Sequence, residues 1–179
     1  MSEAGEFQII EQFFTYPSFG AWKSQGVGDD CAIIDTGAGR LAVTCDMTAL
    51  GTHFFPDADP EDVGYKALAV NLSDLAAAGA VPRAFFLSIG LPRRDDGWLA
   101  DFSRGLMALA HESGCALLGG DTTRTPEIDG RHAPATISIT AMGDLPAGMG
   151  LTRSGAQPGD DIWVSGTAVS YTHLTLPTI

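Results

Sequence analysis

Residues 59–79, DPEDVGYKALAVNLSDLAAAG, decide how the rest of the chain is arranged. Asp59 is an N-cap candidate and Pro60 suits the first helical position. Glu61 and Asp62 complement the positive end of the helix dipole, and Gly79 stands where the chain must leave. Together they predict a helix over residues 60–78. It is apolar around most of its circumference, which predicts burial between layers rather than on a surface. One residue breaks the pattern. Asp74 lines up with Val63, Ala67, Val70 and Ala78 on an apolar face. An aspartate is poorly favoured there, and costly to bury unless a cation or hydrogen bonds meet it.

Outward from this helix the chain mixes strands and helices without a regular βαβ rhythm. Residues 32–34 and 41–44 read as strands joined by a turn at 35–39, and residues 84–91 as a third strand. Asp95 or Asp96 opens a second helix that runs to Ser113 and stops at Gly114. A short strand at 116–118 is expected to deliver GGDTTR at its end, and the alternating ATISITAM at 135–142 is a further strand. Residues 124–134 read as loop, residues 162–165 as one more strand, and residues 6–14 as a short amphipathic helix. The fold class expected is α+β, a mixed sheet with packed helices, rather than a doubly wound sheet.

The chain has 179 residues, 45% of them hydrophobic, enough for a sizeable core. Ten basic residues against 22 acidic ones leave a net charge of −12. That balance argues against nucleic acid as a partner, and it repels anionic substrates unless metal ions reverse the local field. Cys31, Cys45 and Cys115 are too few and too scattered for a disulfide framework or zinc site, so reduced thiols and a cytoplasmic location are expected. No apolar run approaches membrane-spanning length, and MSEAGEF lacks the pattern of a signal peptide, so no membrane partner is expected.

Four runs join aspartate to glycine or small residues: GVGDDCA, TCDMTALGTHF, NLSDLAAAGA and LLGGDTTR. They carry Asp29, Asp30, Asp46, Asp74 and Asp121. No GxxxxGK[ST] is present, so carboxylate-held divalent cations would have to do the phosphate binding that a P-loop lysine does elsewhere. Each residue has an ordinary alternative. Asp29 and Asp30 could form a turn, Asp46 a cap, and His53 a satisfied core histidine. Asp121 could cap a loop and Arg153 could be a solvated loop arginine. Composition and spacing reach divalent-metal phosphate chemistry and stop there.

GVGDDCA, the run from TCDMTALGTHF through NLSDLAAAGA, LLGGDTTR and LTRSGAQPGDDIWVSGT together resemble the N-terminal half of the thiamine-monophosphate kinase family, within the aminoimidazole ribonucleotide synthetase-like superfamily. The resemblance implies ATP-dependent phosphorylation of thiamine phosphate to thiamine diphosphate, with magnesium, in a homodimer whose N-terminal sheets join into a barrel. It implies metal ligands at Asp30, Asp46, Asp74 and Asp121, with Asp29 as the neighbouring acid and oxygen from Thr44 and Cys45. It further implies nucleotide contacts at Gly120, Asp121 and Arg153, and a substrate contact at His53. Cys45 departs from the family's Ser or Thr, and a thiol is a poor magnesium ligand, although its carbonyl could serve. Other ATP-dependent synthetases of the superfamily, and a non-catalytic magnesium–nucleotide dimerisation fragment, are the rival readings.

The resemblance also divides the chain. Residues 1–150 are expected to form the ATP- and magnesium-binding domain, and residues 151–167 the start of a truncated second one. AVSYTHLTLPTI matches nothing in the family at its position, so residues 168–179 are expected to be a non-native tail.

Overall fold

The computed structural model describes residues 10–14, 24–25 and 29–162. A single π-helical turn, Ile10–Phe14, stands at the start, inside the span expected to be an amphipathic helix. The remainder is one main sheet with two helices: β1 (Ser24–Gln25), β2 (Ala32–Asp35), β3 (Arg40–Ala49), α1 (Pro60–Ala77), β4 (Val81–Leu91), α2 (Asp96–Ser113), β5 (Ala116–Arg124), β6 (Glu127–Ile128), β7 (Arg131–His132) and β8 (Thr136–Leu145). The six-stranded sheet runs β1-β2-β3-β8-β4-β5, antiparallel throughout except for the parallel pair β4 and β5. The α+β class with a mixed sheet is what the sequence predicts. No described helix is long and apolar enough to cross a membrane.

The two helices begin as their sequences dictate. The Asp59 carboxylate accepts from the Glu61 N–H at 2.9 Å, and the Asp95 carboxylate accepts from the Trp98 N–H at 3.1 Å. Gly114 ends α2 with φ +66°, a left-handed cap that suits glycine. Helix α1 lies on β3 and β8 and also carries α2 against its flank. The core is formed by Leu68 and Leu75 of α1, Phe85 of β4 and Ile137 and Ile139 of β8, all essentially inaccessible to water. Each such side chain contributes roughly 1.5–3 kcal/mol on burial.

Three segments run further into regular structure than the sequence pattern suggests. Strand β3 continues five residues past Thr44, so Thr44, Cys45 and Asp46 lie mid-strand and not at its end. Polar Thr44 and Asp46 interrupt the apolar alternation and hide the strand. Strand β5 likewise absorbs GGDTTR, which pairs in parallel with β4 from Phe86↔Gly119 to Leu91↔Arg124. Residues expected as loop contain the β6–β7 hairpin, whose two-residue turn Asp129-Gly130 has both φ positive at 52° and 73°. Asp-Gly is the residue pair that such a turn favours. Of the strand expected at 162–165, only Ile162 falls among the described residues.

The helices cross where glycine removes a side chain. A Cβ at Gly64 would stand 2.0 Å from the Phe102 carbonyl oxygen, and one at Gly105 would stand 1.9 Å from that of Glu61. Both contacts are with backbone, so relief requires the helices to separate. Gly105→Ala is expected to destabilise the domain by about 1–3 kcal/mol or more. Gly39→Ala, which meets nothing within 4 Å, is expected to be close to neutral. Urea unfolding of the two variants checks this; equal stability would show that the helices do not cross there.

Candidate functional site

Strand alternation sorts the TCD run of β3 onto two faces. Thr44 is buried beneath α1, and its hydroxyl donates to the Asp74 carboxylate at 2.7 Å. Asp46 follows on the same face, and its backbone N–H donates to the Asn71 side-chain oxygen at 3.2 Å. Asn71 is fully buried and donates in turn to the Ala67 carbonyl at 3.0 Å. Asn71 thus fixes where Asp46 sits, a positioning role that sequence reading misses. Its signal is another polar residue in the apolar helix, three positions before Asp74.

Cys45 points the other way. Its exposed thiol lies 3.3 Å from the Thr140 hydroxyl, which donates to it, and 3.6 Å from Ser138. The sulfur is therefore turned away from Asp74, on the face the helices leave uncovered.

The Asp29–Asp30 turn is tied to the end of the described chain. The Arg153 backbone N–H donates to the Asp29 carboxylate at 2.7 Å, and its guanidinium donates to Asp30 at 2.6 Å. Two more contacts fold this segment back: Leu151 N–H to the Ala78 carbonyl at 3.0 Å, and the Arg40 guanidinium to the Met149 carbonyl at 3.0 Å. Next to the turn, the Cys31 thiol donates to the Asp74 backbone carbonyl at 3.2 Å. Burial, reinforced by the charges of Asp74, Asp30 and Asp46, pushes that thiol up to about 12. Three carboxylates from β3, α1 and the turn before β2 thus act on one point.

Asp74 shows the cost of this gathering. Burial holds its carboxyl above the usual carboxylate range; the Thr44 hydrogen bond draws it down, Asp30 pushes it up, and Arg153 draws it down again. Arg153 is thus the positive charge that this chain itself supplies to the cluster.

Asp121 stands apart. Asp46, Ile139, Leu87 and Gly120 form one row across β3, β8, β4 and β5. Three strand spacings of about 4.8 Å therefore put Asp121 roughly 14 Å from Asp46. Gly120 has φ +149°, and a Cβ there would lie 1.7 Å from the Leu87 carbonyl oxygen, so only glycine fits. Among the described residues no group of three or more His, Cys, Asp or Glu is close enough to hold a metal as it stands. His53 lies in the turn after β3, away from the core. Its Nδ1 accepts from the Ala49 N–H at 3.0 Å, and its carbonyl accepts from Lys66 Nζ at 2.7 Å. In the neutral ring Nε2 then carries the proton.

These features define an acidic α+β domain with carboxylates gathered beneath its first long helix. Residues 28–145 match the family model for AIR synthase related protein, N-terminal domain, and the chain belongs to that family. Within it, the thiamine-monophosphate kinase of Salmonella typhimurium is 44% identical over 165 residues, 91% of this chain and 48% of that protein. A crystal structure of thiamine-monophosphate kinase from Stenotrophomonas maltophilia is 46% identical, with a TM-score of 0.66 over 79% of this chain and 43% of the other. AaThiL complexed with AMPPCP and TMP superimposes with a TM-score of 0.70 at 26% identity, over 86% and 45% of the two chains. The chain spans about half the length of the curated relatives it matches.

The raised Asp74 carboxyl gives a signed pH dependence. Because the folded state binds this proton more tightly than the unfolded one, the stability it contributes is full below the ordinary carboxylate value. That stability is lost as pH rises through the folded value. Asp74→Asn keeps an acceptor for Thr44 without the charge. In EDTA the variant is expected to melt no lower than the parent at pH 7, with any difference vanishing below about pH 4. A variant that melts far lower at pH 7 would mean that the charge itself holds the fold.

Proposed function

We propose that this chain carries the ATP- and magnesium-binding half of a kinase that phosphorylates thiamine phosphate to thiamine diphosphate. The observation that carries the proposal is the half-buried Asp74 carboxylate, raised by desolvation and grouped with Asp30 and Asp46 in a chain of net charge −12. A cation makes such burial worthwhile, and carboxylate and hydroxyl oxygens are the donors a hard cation takes. The donor set fits Mg²⁺, which keeps several waters and needs only one or two carboxylates at a time. The relatives named thiamine-monophosphate kinase, and the neighbour complexed with AMPPCP and TMP, supply the substrates.

On this reading Asp30, Asp46 and Asp74 hold the metal, with Asp29, Thr44 and the carbonyl of Cys45 beside them. Bound magnesium neutralises phosphate charge, so that two polyanions can approach. Gly120 and Asp121, held in place by the close approach of the Gly120 backbone to Leu87 of β4, receive the nucleotide on β5. Arg153, already poised over Asp29 and Asp30, is a second positive group for phosphate. His53 offers Nε2–H to the substrate, with the Lys66 contact keeping its turn in place. The acceptor is an anionic phosphate oxygen near neutral pH, so positioning and charge stabilisation suffice and no general base is assigned.

The domain boundaries follow from the same reading: a nucleotide domain over residues 1–150, the start of a second domain over 151–167, and a foreign tail over 168–179. A homodimer is proposed as well. Strand β5 is exposed along its whole length, and Met47, Phe86, Leu117 and Leu118 are exposed hydrophobics on or beside the uncovered part of the sheet. Pairing of that edge with a second copy would close the sheets into a barrel and remove the edge. The three free thiols are compatible with a cytoplasmic setting.

The test is to incubate the chain with ATP, Mg²⁺ and thiamine phosphate and to assay thiamine diphosphate, alongside Mg²⁺-dependent ATP binding by calorimetry. Product establishes the kinase, while nucleotide binding without product supports the dimerisation module. Asp74→Asn is expected to weaken Mg²⁺-dependent ATP binding at least tenfold with its fold intact. Unchanged affinity would remove Asp74 from the metal site.

A further inference from the structure

The chain's ten basic residues are not evenly used. Arg83 pairs with Asp144, Arg104 with Glu61 and Asp101, and Arg153 with Asp30. Arg93, Arg94 and Arg124, by contrast, line a single open groove of about 770 Å³, together with Thr122, Thr123 and Asp96. The Arg94 guanidinium is engaged with Asp96, donating from Nε at 2.5 Å and from Nη2 at 3.2 Å. Arg93 and Arg124 have no ion pair among the described residues, and the Thr122 and Thr123 hydroxyls have no side-chain hydrogen bond there. Asp96, the groove's own carboxylate, is engaged by Arg94, so the donors of Arg93 and Arg124 are left open to a bound anion that meets them locally against the repulsion of the chain's overall charge of −12.

The groove's position supports the same conclusion. It lies at the C-terminal ends of β4 and β5, the parallel pair, where Leu91 stands opposite Arg124, and beside the capped start of the eighteen-residue α2. The carboxyl ends of parallel strands are where open sheets receive ligands. Its volume falls within the range of small-molecule sites. We infer that this groove is a phosphoryl-binding site, separate from the carboxylate cluster and independent of metal. Guanidinium forks and two adjacent hydroxyls match the oxygens of a phosphoryl group, which arginine grips in two-point fashion. No magnesium is required, because here the protein supplies the positive charge itself.

That independence decides the experiment. The full chain in EDTA at low ionic strength is titrated with inorganic pyrophosphate by calorimetry, and again with acetate at matched ionic strength. Pyrophosphate is expected to bind and acetate not. The double variant Arg93→Ala with Arg124→Ala is expected to lose at least tenfold in affinity, with an unchanged circular dichroism spectrum. Arg131→Ala, which removes one charge from the β6–β7 hairpin, is expected to retain parental affinity. Absence of pyrophosphate binding would overturn the inference, as would affinity equal in the double variant and the parent, or equal losses in both variants. Failure of the kinase reading would appear separately, as missing Mg²⁺-dependent ATP binding while the metal-free binding persists.

Discussion

The contact between Asp74 on α1 and Thr44 on β3 is the constraint around which the domain is arranged. It carries a carboxylate into the seam between helix and sheet, where desolvation opposes its charge, and it leaves one short hydrogen bond as partial compensation. Everything near it answers to that choice. The Cys31 thiol donates a hydrogen bond to the Asp74 carbonyl, Asn71 pins the neighbouring Asp46, and Arg153, beyond β8 in the chain, pairs with Asp30 and brings positive charge. A leucine at position 74 would pack into the same seam without such help. The fold therefore carries an electrostatic burden that its core does not need, the usual mark of a site rather than of a scaffold.

Much of the scaffold was legible beforehand because it rests on local chemistry. Asp59-Pro60, Asp95 and Gly114 mark helix ends through capping, which depends on a few neighbouring residues and is settled locally. Strand lengths were less legible because they depend on partners distant in sequence. β3 is ten residues long because β8 runs beside it for its full length, and β5 absorbs GGDTTR because β4 offers a parallel edge. Neither partner can be read from the strand itself, and the polar threonines and aspartate of β3 obscure the period-two signal. The Asp129-Gly130 hairpin is a different case, since its turn chemistry is present in the sequence, within a stretch whose composition otherwise reads as loop.

The candidate site was legible residue by residue and less so in its geometry. The acidic motifs single out Asp30, Asp46 and Asp74, and the charges acting on Cys31 come from those three. Asp121 belongs to the same kind of motif yet lies three strands away, because strand order, not sequence order, decides which motifs meet. Cys45 illustrates the same limit on a smaller scale. It sits between two residues of the cluster, and the pleat of β3 turns its side chain to the opposite face.

Charge is partitioned in this domain in a way the net value conceals. One region concentrates carboxylates, with the Arg153 guanidinium as the positive charge acting on Asp74 among the described residues, and there cations are proposed to bind. The groove at the ends of β4 and β5 gathers three guanidiniums, two of which have no ion pair among the described residues, and there we infer that anions bind. Arg153 and Arg124 thus differ in their surroundings despite identical chemistry. The first is paired with Asp30, and the second has no ion pair among the described residues because Asp96 is engaged by Arg94. Salt screening reaches the exposed groove more readily than the half-buried seam, so the two regions differ in their response to ionic strength as well as in sign. The two proposals together would give an acidic protein two physically distinct routes to phosphate, one through a bound cation and one directly.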